Sequence, residues 1–197
     1  MKMKPLENLL KYEVLLASNS PRRRELLGDL GVKFSVCVIP DIDESYPEEL
    51  PAMDVAAYIS KVKADAYEKL ITASQLIITA DTVVICDGEV LGKPSDKADA
   101  VSMLKRLSGK VHYVVTGVTI TTATRKETFS VVSEVEFAEL EDGEIDYYVE
   151  NYSPLDKAGA YGIQEWIGCM GVKRISGSFY NVMGLPLQRL YTELKKF

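Results

Sequence analysis

Ser18, Ser20, Arg22 and Arg23 crowd the boundary between an apolar run, Val14-Leu15-Leu16-Ala17, and a segment that begins at Pro21. Ser20 is placed as N-cap and Pro21 as the first helical residue, a strong start signal. Arg22, Arg23 and Arg24 then fill the first turn. The helix macrodipole disfavours cations there by ~0.3–1 kcal/mol each at exposed sites. A capping box would put Glu or Gln at position 23 instead. Free helix N–H groups, two hydroxyls and three guanidiniums belong together if an anion docks there, most simply a polyphosphate. The other reading is a solvated basic turn that merely starts a helix.

A second anomaly is Asp81, which interrupts the β-branched run Gln75–Cys86 (QLIITADTVVIC). An ionised carboxylate among apolar residues is costly unless paired or bound to metal. It marks either a strand end that meets solvent or a strand crossing the floor of a cleft, and apolar residues resuming at Val83 favour the second. Lys93 is a candidate cation for pairing with Asp81 or for phosphate. Lys63 lies one helical turn beyond Ile59 and borders an apolar stripe, from which it either snorkels to water or points into a cleft; Lys61 falls on the solvated side. Lys93 follows a turn at Asp87-Gly88 that folds the chain back towards Asp81, and its Gly-Lys pair lacks the glycine-rich run of a P-loop. Asp41, Asp43 and Glu44, in a proline-bounded loop, either supply oxygen ligands to a hard divalent cation or form an ordinary acidic loop. Asp156–Gln164, with two glycines and small residues, suits close backbone approach to a ligand. His112 is the single histidine and reads as a hydrogen-bonding strand residue.

The elements that must position these groups follow from periodicity. Strands are predicted at Val14–Ala17, Lys33–Ile39, Gln75–Cys86, Glu89–Leu91, Lys110–Thr122, Thr128–Leu140 and Gly171–Ile175. The long pair 110–122 and 128–140 reads as antiparallel. Helices are predicted from Pro21, at Asp54–Leu70 with Val55, Ile59, Val62 and Ala66 inward, and at Ser95–Leu107 with Ala98, Val101, Leu104 and Leu107 inward. Two more are predicted at Asp142–Asn151, with Asp142 as N-cap, and at Leu185–Lys196. No repeat or interdomain linker is present, so the 197 residues read as a single domain, 1–197, of one body or two lobes.

Composition is that of an ordinary globular protein, and the net charge of −6 argues against nucleic acid or an anionic membrane as a general partner. No run approaches the ~20 apolar residues of a membrane span. The amino-terminal stretch has no long apolar core, so no secretory signal is read there. Cys37, Cys86 and Cys169 form neither a zinc pattern nor a disulfide framework, which fits a reducing cytoplasm.

An ordered set of motifs resembles the Maf family of nucleoside triphosphate pyrophosphatases along nearly the whole chain. It comprises Leu16-Ala17-Ser18-Asn19-Ser20-Pro21-Arg22-Arg23, Ala80-Asp81-Thr82-Val83-Val84, Gly92-Lys93-Pro94, Ser108–His112 with Thr116-Gly117-Val118, Asp156–Gln164 and Phe179–Pro186. The extension through Lys11 lies outside them. The resemblance implies an α/β fold with an elongated mixed β-sheet, flanking helices and two lobes around a central cleft, related to the inosine triphosphate pyrophosphatases. It implies cleavage of a nucleoside triphosphate to monophosphate and pyrophosphate with a divalent cation, Mg²⁺ or Mn²⁺, and suggests a homodimer. Carried over by motif, Asp81 is the catalytic acidic residue, and Ser18, Arg22, Glu44, Lys63 and Lys93 sit at other functional positions. Ser20 and Arg23 join the phosphate grip. Arg22, Thr82 and Gln164 match positions linked to substrate choice. Subfamilies that prefer 7-methyl-GTP carry an aromatic in place of the first Arg and Glu in place of Gln, so this chain resembles the dTTP/UTP branch. An ordinary Asp pKa of ~3.9 makes a poor base at neutral pH, which favours metal assistance with Glu44 and Asp81 as ligands. Two alternatives are a pyrophosphatase for another modified nucleotide and a nucleotide-binding regulator of cell division without turnover.

Overall fold

The computed structural model describes residues 5–197; residues 1–4, the start of the amino-terminal extension, lie outside them. The strands are β1 (Glu13–Leu16), β2 (Ser35–Val36), β3 (Gln75–Cys86), β4 (Glu89–Leu91), β5 (Val111–Thr122), β6 (Lys126–Phe137) and β7 (Val172–Ser176). The helices are α1 (Pro21–Asp29), α2 (Val55–Asp65), α3 (Lys97–Leu107), α4 (Asp142–Tyr152), α5 (Trp166–Gly171), α6 (Phe179–Met183) and α7 (Leu187–Leu194). The sheet order is β2-β1-β3-β5-β6-β7, with β4 paired to β3 off that path. β1 runs parallel to both β2 and β3, while β4 on β3 and β7 on β6 are antiparallel. The class is therefore α/β with a mixed sheet and flanking helices, as the resemblance implied.

The described chain divides into two compact units. The first takes the chain through Asp81, then Thr116–Val131 and Gly184–Phe197; the second takes Thr82–Val115 and Val132–Met183. In the first unit, α2 buries Val55, Ala56, Ile59, Ser60 and Ala64. Its close seat is made by Gly117 on β5, where a Cβ would stand 2.2 Å from the Ala56 carbonyl oxygen. A buried hydroxyl chain completes the contact. Thr79 donates to the Ser60 carbonyl at 2.7 Å, Ser60 and Thr119 hydroxyls meet at 3.0 Å, and Thr119 meets Thr128 at 2.9 Å. In the second unit, α3 and α4 cover a core that includes Val84, Leu104, Val135, Phe137, Tyr148 and Tyr161. His112 is fully buried there, its Nε2 2.8 Å from the Tyr161 hydroxyl and its ring edge-on to Phe137 and Tyr161. It is a hydrogen-bonding strand residue, as expected.

The differences from expectation lie at element ends. The strand predicted at Lys33–Ile39 shortens to an exposed pair of residues, and α2 stops at Asp65. Both follow from Tyr67, whose N–H closes a tighter turn on Ala64. Its buried hydroxyl accepts from the Ile39 N–H and donates to the Cys37 carbonyl. The phenol thus stands where a further strand partner would be. Helix α3 faces inward through Ala100, Leu104 and Leu107, leaving Ala98 exposed. The N-cap of α4 is Glu141, not Asp142, because Glu144 reaches back to the Glu141 N–H at 2.8 Å. Short helices α5 and α6 are too brief for a periodic signal.

Two outcomes follow. Gly117→Ala forces a methyl into backbone and lowers stability by more than about 2 kcal/mol, whereas Gly28→Ala in α1, where a Cβ meets nothing within 4 Å, is neutral to stabilising by up to about 1 kcal/mol. Thermal melts of the two variants check this. Burial also pushes the His112 pKa down from 6.5 to about 4. The unfolded chain takes up a proton below pH 6.5 that the folded chain refuses until about pH 4. Stability is therefore full above that window and falls by about 3 kcal/mol as pH drops through it. Denaturant unfolding across pH 7 to 4 reads the slope, and His112→Gln flattens that part of it.

Candidate functional site

Seven of the sequence-selected residues, Ser18, Ser20, Arg22, Arg23, Glu44, Lys63 and Asp81, belong to the first unit. The geometry starts where β1 ends. Ser18 is buried, and its hydroxyl accepts from the Ser20 N–H at 3.2 Å. Ser20 caps α1 as predicted, accepting from the Arg23 N–H at 3.4 Å. The three arginines then separate. Arg24 is exposed and donates to Asn19. Arg23 turns inward, its Nε on the Gly184 carbonyl and one terminal nitrogen on the Ala80 carbonyl, both at 2.9 Å, with Ser18 Oγ at 3.5 Å. Arg22 is half-buried beside it.

Ala80 precedes Asp81, so the same stretch of β3 meets α1 and α2. Lys63 leaves the edge of the α2 stripe and reaches Asp81 Oδ1 at 2.8 Å and Glu44 Oε2 at 3.0 Å. The Lys63 and Asp81 side chains are each 14% exposed, while Glu44 is 50% exposed. Asp81 is thus a carboxylate within a continuous strand, paired as burial demands. Lys61 is solvated, as its position on the helix required. Desolvation lowers the Arg23 pKa, opposed by attraction to Asp81 and Glu44 and reinforced by repulsion from Arg22. Arg22, Arg23 and Lys63 gather with Asp81 and Glu44 in this part of the first unit.

Among the described residues no three His, Cys, Asp or Glu side chains converge as a metal cage. Glu44 and Asp81 nonetheless converge on one ammonium, and two hard carboxylates are what Mg²⁺ takes from a protein when substrate phosphates supply the rest. The donor set fits a divalent ion of that kind.

Thr82, Lys93 and Gln164 belong to the second unit. Thr82 is half-buried on β3, and Lys93 and Gln164 are exposed. β4 ends with Leu91 opposite Val84, and the Gly92 carbonyl accepts from the Gly159 N–H at 3.0 Å, so the Lys93 and Gln164 segments are tied together. The tight backbone at Gly159 serves packing rather than an incoming ligand: its φ is +66° and a Cβ there would lie 2.8 Å from Val84. Gln164 sits in a turn, Gly162 to Glu165, closed by the Glu165 N–H on the Gly162 carbonyl at 3.0 Å. Of the residues that hold that turn, Lys157 falls within the segment Asp156–Gln164 without a role assigned to it, and Tyr148 and Glu165 escaped the sequence reading. A tyrosine on a helix and a charged pair eight residues apart carry no spacing signal.

The division of the arginines yields one measurable outcome. Arg23→Ala strands two carbonyls and lowers stability by about 2–3 kcal/mol, whereas Arg24→Ala stays within about 0.5 kcal/mol of the parent. Equilibrium unfolding of the two variants decides it.

A family model described as Maf-like protein matches residues 13–197. A dTTP/UTP pyrophosphatase of Phocaeicola vulgatus is 59% identical over 191 residues, 97% of this chain and 99% of that protein. Proteins of the same name from Bacteroides thetaiotaomicron, at 58% over the same shares, and Porphyromonas gingivalis, at 54% over 98% of each chain, are likewise similar. Among solved structures, the Staphylococcus aureus Ham1 protein superposes with a TM-score of 0.53 at 18% identity, covering 93% of this chain and 98% of that one, which speaks for the fold alone. With that match running from β1 to the last residue and near-full-length relatives above half identity, the chain belongs to the Maf family.

Proposed function

We propose that this chain is a nucleoside triphosphate pyrophosphatase that hydrolyses dTTP and UTP to the monophosphate and pyrophosphate. The activity is the one named for its relatives at 44–59% identity. The structural observation that carries the reading is Asp81, set in a buried strand and held by Lys63 beside Glu44. Neither a binding module nor a structural protein needs a carboxylate there.

Water attacks the α-phosphorus, the bond from that phosphorus to the α–β bridging oxygen breaks, and pyrophosphate leaves with the electron pair. Such chemistry asks the protein for positioning and charge neutralisation. Asp81 orients the attacking water, accepts a hydrogen bond from it and takes its proton as the new P–O bond forms, passing it on to solvent. Lys63 holds Asp81 in place. Ser18, Ser20, Arg22 and Arg23 grip the phosphates at the start of α1, and Lys93 neutralises charge on the leaving pyrophosphate. Glu44 and Asp81 would hold Mg²⁺ or Mn²⁺, which when bound lowers the pKa of water and offsets phosphate charge. Gln164 reads the base: its amide donates to one pyrimidine carbonyl and accepts from the ring N3–H at once. Arg22 and Thr82 complete the substrate choice. A site built on such hydrogen bonds rejects mismatched bases because its polar groups are left unpaired.

The same reading makes the partners a nucleoside triphosphate and a second copy of the chain, with neither nucleic acid nor membrane involved. It places the protein in the cytoplasm. Support comes from Cys37, Cys86 and Cys169, all free thiols, and from the described residues, in which no helix is long and apolar enough to cross a membrane.

Pyrophosphate release from a nucleoside triphosphate panel with Mg²⁺ or Mn²⁺ tests the activity. Asp81→Asn lowers kcat by about 10³-fold or more with the fold retained, and wild-type turnover in that variant overturns the assignment. Gln164→Glu removes the amide donor and lowers dTTP and UTP hydrolysis relative to purine substrates. Unchanged ratios overturn its role.

A further inference from the structure

An amide is an ambidextrous reader. In one orientation Gln164 matches the N3–H and O4 of uracil, and rotated half a turn it matches the N3 and amino group of cytosine. Gln by itself therefore discriminates weakly, because that half-turn is a rotation about its own Cγ–Cδ bond. What a held backbone fixes is where the amide stands against the base edge, and so the distance and angle of its hydrogen bonds.

One phenol reaches both ends of the turn, the backbone N–H at one and a side-chain carboxylate at the other. Tyr148, fully buried on α4, accepts a hydrogen bond from the Gly162 N–H at 3.0 Å and donates its own proton to Glu165 Oε2. Gly162 and Glu165 are the first and last residues of the turn that presents Gln164. The fit is close, since a Cβ on Gly162 would lie 2.7 Å from the Glu165 carboxyl carbon. Lys157, only 8% exposed, pairs with the other Glu165 oxygen at 3.1 Å and with Asp156 at 2.6 Å, which offsets the desolvated carboxylate. Tyr152 stacks on the Tyr148 ring with centroids 5.1 Å apart and so fixes its plane. Burial and the Glu165 carboxylate raise the Tyr148 pKa, so the phenol keeps the proton it donates.

We propose that Tyr148, with Glu165 and Lys157 behind it, is a positioning residue for base selection: its hydroxyl clasps the two ends of the Gly162–Glu165 turn and thereby fixes how Gln164 meets the pyrimidine. The proposal rests on Gln164 being the base reader. The Tyr148 hydroxyl touches no substrate in this scheme and takes no part in the chemical step.

Steady-state kinetics with UTP and CTP test it. Tyr148→Phe raises KM for UTP about 5–10-fold with kcat within about twofold, and the UTP-to-CTP ratio of kcat/KM falls about tenfold. Gln164→Ala collapses the same ratio, and the double variant falls no further than Gln164→Ala alone. A collapsed ratio in Gln164→Ala with wild-type KM and ratio in Tyr148→Phe overturns the clasp and leaves the base reader standing. An equal fall of kcat on UTP and CTP in Tyr148→Phe, with the ratio held, shows a merely structural role and overturns the clasp as well. An unchanged ratio in Gln164→Ala overturns the base reader and the clasp with it. Where Tyr148→Phe does not fold, the pair Glu165→Gln and Glu165→Ala replaces it. Gln keeps an acceptor for the phenol and preserves the ratio, Ala loses it, and equal behaviour of the two overturns the proposal.

Discussion

The Lys63 ammonium on Asp81 and Glu44 is the interaction on which the first unit depends. A carboxylate in the middle of β3 is tolerable only because a cation reaches it from α2, and a lysine can reach it only if α2 lies close to the sheet. Gly117 supplies that closeness, since no other residue lets β5 touch the Ala56 backbone. The hydroxyl chain from Thr79 through Ser60, Thr119 and Thr128 holds the same contact in register without placing an unpaired polar group in the core. The ion pair and the glycine are therefore one device, although they lie 54 residues apart in sequence.

Arg23 plays the matching part for α1. Its guanidinium joins the first helical turn to the carbonyls of Ala80 and Gly184, so α1, β3 and the segment before α7 share one fixed point next to Asp81. The cation that looked misplaced against the helix dipole is compensated by two carbonyls and by the field of two carboxylates. An isolated cation at a helix start is unfavourable by a few tenths of a kcal/mol or more, which charge-assisted bonds of this kind offset several times over.

Much of this was legible in residue types. Asp81 stood out because a carboxylate breaks an apolar run, Lys63 because of its angle from Ile59, and the Ser20 cap because Pro21 follows it. The sheet class came with the family resemblance, and the long strands and helices from periodicity. What could not be read was whatever depends on contacts distant in sequence. The end of α2 and the shortening of β2 are decided together by the Tyr67 hydroxyl, which no local pattern encodes. Gly159 looked like a seat for a ligand and is instead a seat for Val84, because a glycine records that something comes close without recording what. The inward turn of Arg23 against the outward turn of Arg24 rests on carbonyls 57 and 161 residues away.

The proposed roles differ in the range of the forces they rely on. Charge on a triphosphate is felt over several ångströms and falls off gently, so in the proposed scheme Arg22, Arg23 and Lys63 need no exact placement. Lys63 can serve from a flexible stem because its two carboxylates restrain it. A base edge is read by hydrogen bonds that weaken steeply once distance or angle is lost. In the proposed scheme the reader is Gln164, which needs backbone as rigid as a strand but is itself exposed at a turn. The buried phenol, carboxylate and lysine behind that turn supply the missing rigidity from side chains. On the proposed reading, specificity is more fragile than turnover. A small loosening behind the turn erodes the choice of base well before it disturbs the grip on phosphate.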